Sequence, residues 1–245
     1  MMDIEPLLND FATRSFRDVA DQDYIAARLS YRHGLIPQFH WQALQALEKY
    51  LKAILLYNRI KAKDINHDLT KAIKHTKKLP FDLKLSSSTE ELIKHIDNFG
   101  RFRYLEASYF THGPKLVQLD RAVWEMRRYC RILNYELTLP DGSIKNMLEL
   151  EIEKIENSVN HSPHKFRITG GALEKILDKK DNISRPALIW QNGFFSGKAR
   201  KFVRSPAHFH AVNAPLYLHP EILDEVLKYA FIPKDVINAY KEANN

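Results

Sequence analysis

Apolar positions set the plan of the first half of the chain. Trp41, Leu44, Leu47, Leu51, Ile54 and Leu55 recur at three- and four-residue steps, and Glu48 and Lys52 sit one turn apart in the favourable order, so residues 42–56 lie in a long amphipathic helix. Pro37 opens it, because proline is tolerated in a first helical turn. Upstream, Phe11, Phe16, Val19, Tyr24, Ile25, Ala27 and Leu29 predict a helix over residues 10–31 that Gly34 ends. Downstream, residues 67–79 predict a short basic helix closed by Pro80. The run Ser86-Ser87-Ser88-Thr89-Glu90-Glu91 has a capping-box pattern and predicts a helix running toward Thr111, broken by Gly113-Pro114. A last helix over residues 115–135 carries Leu116, Leu119, Val123, Met126, Cys130 and Leu133 inward. Five helices with short connections predict an all-α, up-and-down bundle over residues 1–140.

The pattern changes at Pro140-Asp141-Gly142-Ser143, a turn sequence taken as the domain boundary. Residues 141–245 predict a smaller domain of mixed α and β, which makes the whole chain α+β. Its elements are an acidic helix over 146–159, a short helix over 172–177, strands over 187–191 and 199–204 joined through the Asn192-Gly193 turn, and terminal helices over 220–229 and 233–244.

Composition narrows the setting. One cysteine, Cys130, in 245 residues rules out an intramolecular disulfide and a Cys-Cys metal site and suits a reducing compartment. No long apolar run and no secretory pattern is present, so a cytoplasmic protein without membrane association is expected. The net charge of +7, held mainly by the first 140 residues, favours a polyanionic partner. Basic clusters stand at Lys71, Lys74, Lys77 and Lys78, at Arg101 and Arg103, at Arg127, Arg128 and Arg131, and at Lys198, Arg200, Lys201 and Arg204. Each is first of all what a solvated helix or strand face looks like.

The Gln-rich start at Gln42, the Glu48-Lys49 pair, the Lys-Ala-x-Leu of residues 52–55 and the downstream His67-Asp68-Leu69 together resemble the signature of HEPN domains, the helical modules of prokaryotic ribonuclease toxins and nucleotide-binding proteins. The resemblance covers roughly residues 10–135 and extends more loosely to Gly100-Arg101-Phe102-Arg103-Tyr104 and Arg127-Arg128-Tyr129. It implies a homodimer that binds a nucleotide or RNA, with a regulatory, stress or defence role of the toxin–antitoxin kind and a possible protein partner. On that reading Arg101, Arg103, Tyr104, Tyr109, Arg127 and Arg128 contact the nucleotide or RNA: guanidinium groups hold phosphate and aromatic rings stack a base. Phe102, Leu105 and Phe110 are then the inward residues.

Active members of that family carry Arg, four to six residues, then His, and pair two such sites across a dimer, which leaves metal-independent RNA cleavage as the alternative activity, with no metal or cofactor. Histidine serves as acid or base and arginine steadies the pentavalent phosphate. Here Arg103 and His112 are the candidates, with Arg101 in support, but eight residues separate Arg103 from His112. On one unbroken helix nine steps of about 100° set them on opposite faces, about 13 Å apart along the axis, so a catalytic role requires a break in the helix or pairing across a dimer. Arg28 with His33 and Arg204 with His210 match the spacing in the wrong places. His67 reads as part of a helix cap, with Asn66 or Asp68 accepting backbone N–H groups and His67 packing on the long helix. His208 and His210 have a strand spacing that metals use, without an acidic third ligand.

Overall fold

The computed structural model describes residues 4–101, 106–204 and 209–243. Its helices are α1 (Glu5–Phe11), which passes through a π-helical turn (Ala12–Arg17) into α2 (Asp18–Arg32), then α3 (Ile36–Tyr57), α4 (Leu69–Thr76) and α5 (Ser87–Phe99). Strand β1 (Tyr109–Thr111) precedes α6 (Lys115–Arg127), and β2 (Glu136–Thr138) and β3 (Ile144–Asn146) form a hairpin around the Pro140–Ser143 turn. The remainder holds α7 (Leu148–Asn157), α8 (Ala172–Asp178), α9 (Arg185–Ile189), β4 (His210–Val212), α10 (Pro215–Leu218), α11 (Leu223–Val226) and α12 (Lys234–Ala243). A helical N-terminal bundle with a small α/β part is the architecture the pattern predicted.

The bundle forms around α3. Leu44, Leu47, Leu51, Ile54 and Leu55 are fully buried, and the expected inward positions Leu116, Leu119, Val123, Met126, Cys130 and Leu133 all enter the same core, although α6 ends at Arg127. That core does not stop at residue 140: Ile155, Leu173, Ala187, Leu188 and Phe195 belong to it. A separate small cluster of Leu216, Leu223, Ile232 and Val236 forms near the C-terminal end. Among the described residues no helix is long and apolar enough to cross a membrane.

Two sequence expectations are corrected. The helix expected to run toward Thr111 ends at Phe99; residues 109–111 form a strand paired antiparallel with β4, Tyr109 opposite Val212 and Thr111 opposite His210. A pairing partner a hundred residues away is invisible to a local pattern. The strand pair expected at 187–191 and 199–204 is absent. Pro186 starts a short helix instead, and the Arg28 guanidinium, from α2, bonds the Ala187 carbonyl at 3.0 Å and also the Trp190 carbonyl, occupying acceptors that a sheet partner would use. Asn192 is fully buried rather than at a hairpin tip. Its side-chain oxygen accepts the N–H groups of Phe194 and Phe195 at 2.9 Å, and its amide donates to the Tyr24 hydroxyl at 2.8 Å.

Two arginine centres fasten this C-terminal part to the bundle. Arg28 pairs with buried Asp120 of α6, which also accepts from Tyr24 at 2.6 Å. Arg127 lies between Asp21 of α2 (2.7 Å) and Glu174 of α8 (2.7 Å), and Tyr50 donates to the same Asp21 oxygen at 2.6 Å. Burial opposes the charge of Glu174, yet the two bonds from Arg127 outweigh it and hold the carboxyl below its usual range. A Cβ on Gly171 would stand 2.1 Å from Glu174 Oε2, so the close approach of α8 to this centre requires glycine.

Candidate functional site

The signature residues prove to be joints of the scaffold. Glu48, 2% exposed, accepts from Lys52 at 2.5 Å and is 2.7 Å from His67 Nδ1. Burial works against this carboxylate, but Lys52 and His67 outweigh it and keep its pKa low. Asp68 caps α4 by accepting the Lys71 N–H at 2.6 Å, while Asp97 of α5 takes the Leu69 N–H at 2.8 Å and the Thr70 hydroxyl at 2.6 Å. Lys49 reaches Asp23 of α2 at 2.6 Å. Glu48, Lys49 and His67-Asp68-Leu69 thus tie α2, α3, α4 and α5 together, and His67 packs on the long helix against Trp41, with ring centroids 5.2 Å apart.

Histidines and aromatic rings gather where α3 begins and α5 ends. His40, on the first turns of α3, is 1% exposed, and its Nε2 lies 3.2 Å from Nε2 of His95 on α5. At that distance one imidazole donates and the other accepts, so the accepting ring is neutral. Burial holds His40 down at about 3, reinforced by His95, Lys115 and His210; burial, Lys115 and His112 hold His95 at about 4. Phe99 and Tyr109 flank His40 at 6.3 and 5.6 Å, and the Tyr109 hydroxyl meets His210 Nε2 at 3.3 Å across the β1–β4 pair. Lys115, at the start of α6, is itself buried, which lowers its pKa. Gly100 lets α5 close on α3: a Cβ there would stand 2.9 Å from Leu44 Cβ and 3.1 Å from the His40 carbonyl. Gly100→Ala is expected to cost about 1–3 kcal/mol of stability through this overpacking, measured by urea unfolding; an unchanged midpoint would show that the contact is relieved by small shifts.

Strand geometry reassigns the predicted contact residues. Side chains alternate along β1, so Tyr109 and Thr111 point inward and Phe110, 44% exposed, points out. Tyr109 was expected to face a ligand and Phe110 the core; instead the Tyr109 ring is buried and the Phe110 ring is in solvent, because the segment is a strand and not a helix. Exposed His112 lies parallel to Phe110, at 5.8 Å and 1°. Arg101 is exposed, two residues beyond Phe99, whose ring is 5.3 Å from that of Phe110. Arg103 and Tyr104 lie outside the described residues, as does His208.

Arg127 and Arg128 are placed otherwise than the sequence suggested. Both are buried, Arg127 between two carboxylates and Arg128 against the Trp124 ring at 3.9 Å, with bonds to the Ile155 carbonyl and Ser158, so neither faces a solvent-borne ligand. Arg28 is buried in its ion pair while His33 caps α2 at the surface. Among the described residues no group of three or more His, Cys, Asp or Glu is placed to hold a metal ion. Sequence reasoning missed His40 and His95; the one available signal was that each lies on the apolar side of its helix.

This is a helical bundle with a histidine- and aromatic-lined end whose arginine stands exposed beside it. Residues 13–128 match the family model of the HEPN domain, so this part of the chain is a HEPN domain. The family supports a general nucleotide- or RNA-related role, regulatory or nuclease-like. No curated protein and no solved structure was found to match the chain.

Proposed function

We propose that the protein binds RNA or a nucleotide, as a homodimer, at the edge formed by the end of α5 and β1. The observation that carries this reading is the exposed, parallel Phe110–His112 pair beside Arg101. Flat rings in solvent suit stacking on a base and an unburied guanidinium suits phosphate. Arg103 and Tyr104 belong to the same proposal by their place between Arg101 and β1. Anisotropy with a labelled single-stranded RNA tests it. Affinity is expected to fall steeply with salt, Arg101→Ala to lower the salt slope by about one, and Phe110→Ala to weaken binding by about tenfold or more. No binding at low salt, or binding indifferent to both substitutions, would overturn the reading.

One observation favours metal-independent ribonuclease activity as a second reading. Because α5 ends at Phe99, the helical separation that set Arg103 and His112 on opposite faces does not apply, and His112 stands at the end of a strand on the exposed edge. Cleavage in chelator that His112→Ala abolishes would support it; intact RNA after long incubation with the wild-type protein would remove it.

A further inference from the structure

A cleft lies away from the histidine end, between α7 and residues 161–166. Its volume is about 600 Å3, within the usual size of a small-ligand site. Lys154, Lys165, His161 and Asn157 line it together with the carboxylate of Glu153, and Glu151 pairs with Lys154 beside it. Lys154 spends one of its three donors on Glu151 at 2.7 Å, which leaves two for a ligand. Lys165 and His161 are exposed.

The floor adds a second, independent observation. Ser158 lines the cleft and donates to the Ile155 carbonyl at 2.6 Å while accepting from Arg128 at 2.6 Å. Arg128 therefore stands immediately behind the floor, 3% exposed, in no ion pair among the described residues and with its Nε buried and without a hydrogen-bond partner. Burial lowers its pKa and Glu125 offsets this only in part, so a further negative charge nearby would stabilise the guanidinium. An anion in the cleft would meet that field from behind and the lysines from the front. Phe166 supplies an aromatic wall, with the Arg131 guanidinium, itself paired to Glu151 at 2.7 Å, lying 5.7 Å from its centroid.

We propose that this cleft is a binding site for a nucleoside monophosphate, its phosphate held by Lys154, His161 and Lys165 and its base against Phe166. The site is distinct from the RNA-binding edge proposed above. Calorimetric titration of the full chain with AMP, GMP, CMP and UMP tests it. At least one is expected to bind with a dissociation constant at or below about 1 mM, to be displaced by inorganic phosphate, and to bind about tenfold more weakly to Lys165→Glu, a surface change that leaves the fold intact. Phe166→Leu, which keeps the apolar volume, is expected to weaken the nucleotide and spare inorganic phosphate. Arg101→Ala is expected to change nothing. The proposal is overturned if none of the four binds at about 5 mM, if adenosine binds as well as AMP, or if Arg101→Ala and not Lys165→Glu reduces binding, which would place the nucleotide at the histidine end.

Discussion

Arg127→Met is expected to lower the free energy of unfolding by about 3–5 kcal/mol, because it leaves two buried carboxylates facing each other without a cation. Asp21 and Glu174 are 1% and 6% exposed, so water cannot take over the role of the guanidinium. Tyr50 still donates to Asp21 and the Ile168 N–H to Glu174, but neither bond cancels the repulsion between the two charges. Converting the whole centre to Arg127→Met with Asp21→Asn and Glu174→Gln is expected to restore most of the loss, since a neutral set no longer buries a naked charge. Urea unfolding of the three proteins is the measurement. A loss under about 1 kcal/mol for Arg127→Met alone, or no recovery in the triple variant, would show that the ion centre does not hold α2, α6 and α8 together.

Acid is expected to unfold the protein from the histidine end. The unfolded His40 imidazole takes up a proton near 6.5, while in the fold burial delays that to about 3. A histidine with a lowered folded-state value supports the fold fully above its unfolded value and loses that support as the pH falls toward the folded one. Stability is therefore expected to be flat above pH 7 and to decline by about 3 kcal/mol toward pH 4.5 from His40 alone. His95, partly in solvent, adds a smaller amount of the same sign. The groups that act on the pair reinforce this: Lys115 from α6, His112 just after β1 and His210 from β4 all disfavour a positive charge there, while the carboxylate of Glu91 on α5 acts on Lys115. His40→Gln, which keeps a hydrogen-bonding group toward His95 and cannot titrate, is expected to flatten the profile between pH 7 and 4.5. Parallel profiles for wild type and variant would refute the assignment.

The two predictions separate what holds this chain from what acts in it. Glu48, His67 and Asp68 carry the sequence resemblance to the family, yet each is spent on a cap or an ion pair between helices. Their geometry accounts for the fold, and the candidate chemistry sits elsewhere, at the end of α5 and on β1.

What the sequence by itself determined follows from periodicity and caps. A 3.6-residue apolar repeat from Trp41 to Leu55 leaves few alternatives to a core helix, and Asp68 and Ser86 cap the helices that follow them because capping is a bond between near neighbours. Hence the helical bundle, most of its core and the family were legible. Contacts between distant positions were not. The partner of β1 lies a hundred residues on, and only that pairing makes residues 109–111 a strand and turns Phe110 out and Tyr109 in. Arg127 and Arg128 look like any basic pair on a helix until Asp21, Glu174 and Ser158 close around them. Burial decides whether an arginine is a ligand contact or a structural tie, and burial is a property of the folded whole.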